Sequence, residues 1–112
     1  MMPTLRIDQR QIALDPEGYL TRLDDWSAAT AEALAATEGL TLTPAHWEVI
    51  GVLRAFYQQY QISPAMRILV KQLKLELGAE KGSSIYLMQL FPGSPAKLAS
   101  KIAGLPKPTN CL

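Results

Sequence analysis

Apolar positions along the chain first alternate and then recur at three- and four-residue spacing. Leu5 and Ile7, then Ile12 and Leu14, lie two apart and predict two short strands, with Asp8-Gln9-Arg10 between them as the turn of a small hairpin. Asp15-Pro16-Glu17-Gly18 is a turn signal: proline presets one backbone angle and glycine accepts a left-handed one. Asp24 or Asp25 is placed to cap a helix running to about Thr37, with Trp26, Ala29, Ala33 and Leu34 as its apolar side and Gly39 as its stop. Thr43-Pro44 opens the next helix, whose stripe is Trp47, Ile50, Leu53, Phe56 or Tyr57, and Tyr60. Ser63-Pro64 repeats that start signal. Met66, Leu69, Val70, Leu73 and Leu77 follow as one face, Arg67, Lys71 and Lys74 as another, and Gly78 as the end. Gly82-Ser83-Ser84 begins a short helix containing Ile85, Leu87, Met88, Leu90 and Phe91, which Pro92-Gly93 ends. Ser94-Pro95 opens a last helix running to Gly104. Pro106 and Pro108 lack the N–H a helix needs and restrict the residues before them, so residues 105–112 predict an extended, flexible arm.

The expected fold is therefore mainly α: a small helical bundle with a short N-terminal β-hairpin and an extended C-terminal arm. With 112 residues, 48% of them apolar, and no repeat or linker, residues 1–112 form a single domain with one modest core. No stretch approaches 18 apolar residues and no basic-then-apolar leader stands at the N-terminus, so the expected address is the cytoplasm. Eleven Lys/Arg against ten Asp/Glu exclude a polycation that binds nucleic acid by bulk charge. The charge is nonetheless divided. Residues 1–50 hold eight acids and three bases, and residues 51–112 hold eight bases and two acids. The second half is the expected face for an anionic partner, unless the halves neutralise each other internally.

Candidate chemistry is sparse. A single cysteine excludes an internal disulfide and a multi-cysteine metal cluster, and a single histidine leaves little for zinc. His46, at a helix start beside Trp47, reads as a surface or capping residue. No Gly-rich phosphate loop follows a strand. Cys111 stands out because cysteine is ordinarily a small buried hydrophobe, yet this one is penultimate on a proline-stiffened arm. Either the tail folds back and hides the thiol, or the thiol is presented to a partner. An ordinary thiol, with a pKa of about 8.5, is only a few per cent thiolate at neutral pH. The Leu112 carboxylate opposes ionisation, and Arg67, Lys101 and Lys107 would favour it if the arm lay over them. A thiolate there would attack a persulfide, take up its outer sulfur and present it to an acceptor.

Several segments then carry a resemblance. They are Asp15-Pro16-Glu17-Gly18-Tyr19-Leu20, Asp25-Trp26, Leu42-Thr43-Pro44-Ala45-His46-Trp47-Glu48-Val49-Ile50 and Arg67-Ile68-Leu69-Val70-Lys71. Leu90-Phe91-Pro92-Gly93-Ser94-Pro95-Ala96-Lys97 and Lys101-Ile102-Ala103-Gly104-Leu105-Pro106-Lys107-Pro108-Thr109 follow, ahead of Cys111. From about Leu5 onward the chain resembles the TusE/DsrC family of sulfur-relay proteins, which includes the small partner protein of dissimilatory sulfite reductase. The resemblance implies a helical bundle with a hairpin and a projecting arm, and Cys111 as the sulfur-carrying residue. The sulfite-reductase partners have a second cysteine where this chain has Ser100, which places it with the single-cysteine, TusE-like branch. The family's usual glycine before the cysteine is Asn110 here, less free in left-handed backbone.

The resemblance further implies a sulfurtransferase that acts as a carrier and has no substrate pocket of its own. It would accept persulfide sulfur from an upstream multisubunit sulfur-relay complex and pass it to the tRNA 2-thiouridylase for wobble 2-thiouridine. Contact with tRNA would be indirect, and no metal, nucleotide or other cofactor is expected. Arg67, Lys71, Lys101 and Lys107 are candidates for partner docking or thiolate stabilisation, and Gly104, Pro106 and Pro108 for arm geometry. Two alternatives remain: sulfur trafficking or regulation in sulfur oxidation, and a helix-turn-helix DNA binder using residues 44–60 and 64–77 with Arg67, Lys71 and Lys74 toward phosphates.

Overall fold

The computed structural model describes residues 3–109. Strands β1 (Thr4–Ile7) and β2 (Arg10–Ala13) form an antiparallel hairpin with Leu5 opposite Ile12 and Ile7 opposite Arg10. Arg10 belongs to the strand, not the turn. Asp8 absorbs the reversal at φ +55°, a left-handed geometry that Asp tolerates better than most residues. Leu5, Ile7, Ile12 and Leu14 are buried together, as their period-two spacing requires. The following turn is held by Asp15, whose carboxylate accepts from the N–H groups of Glu17 and Tyr19, both at 2.9 Å.

Five helices follow: α1 (Ala28–Thr37), α2 (Pro44–Tyr60), α3 (Met66–Leu77), α4 (Ser84–Leu90) and α5 (Pro95–Ile102). The start of α1 corrects the expected aspartate cap. Asp24 and Asp25 form a 3-10 turn (Leu23–Asp25), and the cap is Ser27. Ser27 and Thr30 satisfy each other's backbone N–H groups, which two adjacent aspartates upstream would not achieve. Trp26 thus lies before the helix in extended backbone, free to turn its ring elsewhere. The helix α3 likewise begins two residues later than Ser63-Pro64 suggests. Pro64 is buried, and the Ser63 hydroxyl donates to the Pro106 carbonyl instead of capping.

The short helix α5 packs against α1, α2, α3 and α4. Most of its buried face is small, with Ala96, Ala99 and Ser100 followed by Ala103 just past its end, and this lets four helices approach one short element. Leu34, Ile50, Leu53, Leu69, Leu73, Leu87, Phe91 and Ile102 close the core around it. Truncating one of these leucines to Ala costs about 2–5 kcal/mol.

Residues 105–109 have no helix, as the two prolines require, and they run along the body. Leu105 and Pro108 are buried, so this part of the expected projecting arm is fastened down. Asn110, Cys111 and Leu112 lie outside the described residues.

Candidate functional site at the root of the C-terminal arm

The end of α5 must satisfy carbonyls that have no partner within the helix. Gly104 turns left-handed at φ +76°, so that its N–H donates to Lys101 O at 3.1 Å and the Leu105 N–H donates to Ser100 O at 2.9 Å. This pair of bonds is the Schellman closure, and it sends the chain away from the helix axis. The next two carbonyls are taken by side chains from distant elements. The Trp26 indole N–H donates to Ile102 O at 2.9 Å, and Arg54 of α2 donates to Ala103 O at 2.6 Å.

Trp26 and Arg54 also support each other. The Arg54 guanidinium lies 3.8 Å from the centre of the Trp26 ring, within the range of a cation–π contact. Burial pulls the Arg54 pKa below its ordinary value, which still leaves the guanidinium charged at physiological pH. The indole leaves no room for a side chain at residue 104: a Cβ on Gly104 would stand 2.2 Å from Trp26 Cδ1. Gly104 is thus required twice, for its backbone angle and for the close approach of the ring.

Farther along, Lys107 pairs with Glu17 at 2.7 Å and Ser63 holds Pro106. Tyr57, Gln61, Ile62 and Ser63 face Pro106, Lys107 and Thr109 across a cleft of about 160 Å³. On the other side of the root, Lys101 pairs with Glu38 at 3.3 Å and lies 5.3 Å from the Tyr19 ring centre, while the Tyr19 hydroxyl donates to Lys97 O.

The four basic candidates therefore separate. Lys101 and Lys107 are partly neutralised by acids of the first half of the chain, the internal pairing that the divided charge allowed. Arg67 and Lys71 lie exposed on α3 and form no ion pair among the described residues. Gly104, Pro106 and Pro108 all fall in the root. His46 does cap, but it is buried, only 7% exposed, not a surface residue. Its Nδ1 accepts from the Thr43 N–H at 3.0 Å, which makes Nε2 the protonated nitrogen that donates to Leu90 O at 2.8 Å. The imidazole thereby ties the start of α2 to the end of α4. Ser100 is fully buried, and its hydroxyl has no hydrogen-bond partner among the described residues.

Trp26 and Arg54 escaped sequence reasoning as site residues. The sequence pattern puts Trp26 on a helix face that it does not join, and a lone arginine within a helix reads as solvated surface. Among the described residues no group of three or more His, Cys, Asp or Glu could hold a metal, and no helix is long and apolar enough to cross a membrane.

A helical bundle with a hairpin, ending in a clamped segment that leads to a penultimate cysteine, defines the class: the chain belongs to the family of DsrC-like proteins, which matches it over residues 6–112. Within that family it is 58% identical over 102 residues to the sulfurtransferase TusE of Sodalis glossinidius, covering 91% of this chain and 94% of that one. Its structure is similar to the solution structure of DsrC from Allochromatium vinosum, with a TM-score of 0.91 and 49% identity over the whole of both chains. It is also similar to the oxidized gamma-subunit of the dissimilatory sulfite reductase (DsrC) from Archaeoglobus fulgidus, with a TM-score of 0.86 and 38% identity over 98% of this chain and all of the other. These relationships make the chain a sulfur carrier of the sulfurtransferase class.

Proposed function

We propose that the protein carries persulfide sulfur on Cys111 in the cytoplasm, taking it from an upstream multisubunit sulfur-relay complex and handing it to the tRNA 2-thiouridylase for wobble 2-thiouridine. The observation that carries this reading is the likeness to TusE over nearly the whole chain, together with one cysteine in the sequence, at its penultimate position. In the first step the Cys111 thiolate attacks the outer sulfur of a donor persulfide. The donor S–S bond breaks as the new one forms, and the donor's inner sulfur leaves as thiolate with the bonding pair. No net oxidation occurs, and no cofactor is needed. In the second step an acceptor thiolate attacks the outer sulfur, the Cys111 S–S bond breaks, and Cys111 leaves as thiolate with the bonding pair.

Ser100 fits this single-thiol chemistry, since a hydroxyl can neither form a disulfide nor share the sulfur. The clamped root contributes by limiting the conformations available to the segment ahead of the thiol, which lowers the entropy lost when a partner engages it. Docking by the basic residues belongs to the same proposal. Lys101 and Lys107 serve the root through Glu38 and Glu17, and the exposed pair Arg67 and Lys71 is left for partners.

Likeness to DsrC proteins, one of them the gamma-subunit of a dissimilatory sulfite reductase, leaves sulfur trafficking or regulation in sulfur oxidation as the second reading. The DNA-binding alternative has less support, because the aliphatic side chains of Ile68 and Leu75 are exposed directly beside Arg67, Lys71 and Lys74. A strain lacking this gene, complemented with the wild type or Cys111→Ser, separates the pathways. Restoration of tRNA 2-thiouridine by the wild type and not by the variant supports the tRNA route. Unchanged 2-thiouridine with impaired sulfur oxidation supports the other.

A further inference from the structure

The outer face of α3 is organised in strips. Leu69 and Leu73 point to the core. On the solvent side Ile68 and Leu75, seven residues apart and so nearly in line on a helix, are 45% and 71% exposed. Arg67, Lys71 and Lys74 run along one flank of this aliphatic pair, all exposed and none in an ion pair among the described residues. Gln72 and Glu76 occupy the other flank, bonded to each other at 3.4 Å. They lead into a groove of about 300 Å³ against α2, floored by Gly51, Val52 and Ala55. Two exposed aliphatic side chains in line beside three unpaired cations suit a partner, because the aliphatics favour association and the cations select its charge.

We infer that this face of α3 is a docking surface for a partner protein of the sulfur relay, one that presents carboxylates beside an aliphatic strip. The inference rests on the carrier reading above and adds to it the surface and the chemistry of its partner. Charge complementarity decides the occupant. The unpaired bases call for acids, and exposed Ile68 and Leu75 call for apolar side chains, which a nucleic-acid backbone does not offer. The exposed pair Ile85 and Met88 on α4 lacks a comparable row of charges.

Two surface variants test this, Arg67→Glu with Lys71→Glu, and Ile68→Ser with Leu75→Ser. All four side chains are outside the core, so circular dichroism and urea midpoints should match the wild type. Sulfur transfer is followed with glutathione persulfide as a small donor, with the persulfide-loaded relay complex as a protein donor, and with the 2-thiouridylase as acceptor. The Ile68→Ser with Leu75→Ser variant is expected to load from glutathione persulfide at the wild-type rate. Both variants should lose at least about tenfold in second-order rate with the same one of the two protein partners, and the loss from charge reversal should shrink as salt rises; losses with different partners would overturn a single docking surface. Wild-type rates with both protein partners would overturn the docking surface while leaving the carrier intact. Unchanged transfer accompanied by lost tRNA binding, or by loss of self-association, would overturn it in favour of RNA or a second copy. A wild type that takes sulfur from neither donor would overturn the carrier reading itself, and the docking surface with it.

Discussion

Gly104→Ala isolates the contact on which the arm's root depends, because Gly39 provides a matched control. Both glycines are left-handed, at φ +76° and +74°, but a Cβ on Gly39 would meet nothing within 4 Å. Gly39→Ala should therefore lose only the left-handed backbone preference, about 1 kcal/mol. At Gly104 the added methyl would stand 2.2–2.8 Å from three atoms of Trp26, so the ring must move. Moving it breaks the bond to Ile102 O, about 1 kcal/mol net, and the Arg54 stacking, about 0.5–1 kcal/mol. The expected total for Gly104→Ala is about 3 kcal/mol. Urea unfolding followed by tryptophan fluorescence and far-ultraviolet circular dichroism reads the difference between the two variants, about 2 kcal/mol. In a Trp26→Ala background, where the obstructing ring is gone, Gly104→Ala should fall back to about 1 kcal/mol. Equal losses at residues 39 and 104, or no coupling to Trp26, would refute the reasoning.

Other substitutions probe neighbouring parts of the structure. Arg54→Met should cost about 1–3 kcal/mol by leaving the Ala103 carbonyl without its donor, and Arg54→Lys should recover part of it, measured by the same unfolding transition. His46→Ala should cost about 2–4 kcal/mol, because it removes three hydrogen bonds and an edge contact to Phe91 and leaves a cavity between α2 and α4; the thermal midpoint reads this directly. Ser100→Ala should be neutral or stabilising by up to about 1 kcal/mol, since it removes a buried hydroxyl that lacks a partner, and sulfur loading should be unchanged. A loss of loading comparable to Cys111→Ser would refute the single-thiol account.

The parts of the fold visible in the sequence are those governed by local physics. Period-two spacing at Leu5–Leu14 and the Thr43-Pro44 and Ser94-Pro95 starts identified the hairpin, α2 and α5, because strand alternation and the first helical turn are local properties. Local competition explains the shifted boundaries: Ser27 outcompetes Asp24 and Asp25 because Thr30 reciprocates its bond. Long-range pairings were not visible. Trp26 reaches Ile102 across 76 positions and Arg54 reaches Ala103 across 49, and neither leaves a periodic trace. The same holds for charge. The divided composition was plain, but which lysines are neutralised depends on the tertiary placement of Glu17 and Glu38. The cysteine was the reverse case, conspicuous from its position alone.

Whether Cys111 accepts sulfur is tested most directly by intact mass spectrometry after incubation with a persulfide-loaded donor. The wild type should gain about 32 Da per sulfur transferred, reversed by a thiol reductant, and Cys111→Ser should gain nothing while keeping the wild-type unfolding transition. No adduct on the wild type with a donor that loads other acceptors, or an equal adduct on Cys111→Ser, would contradict the account.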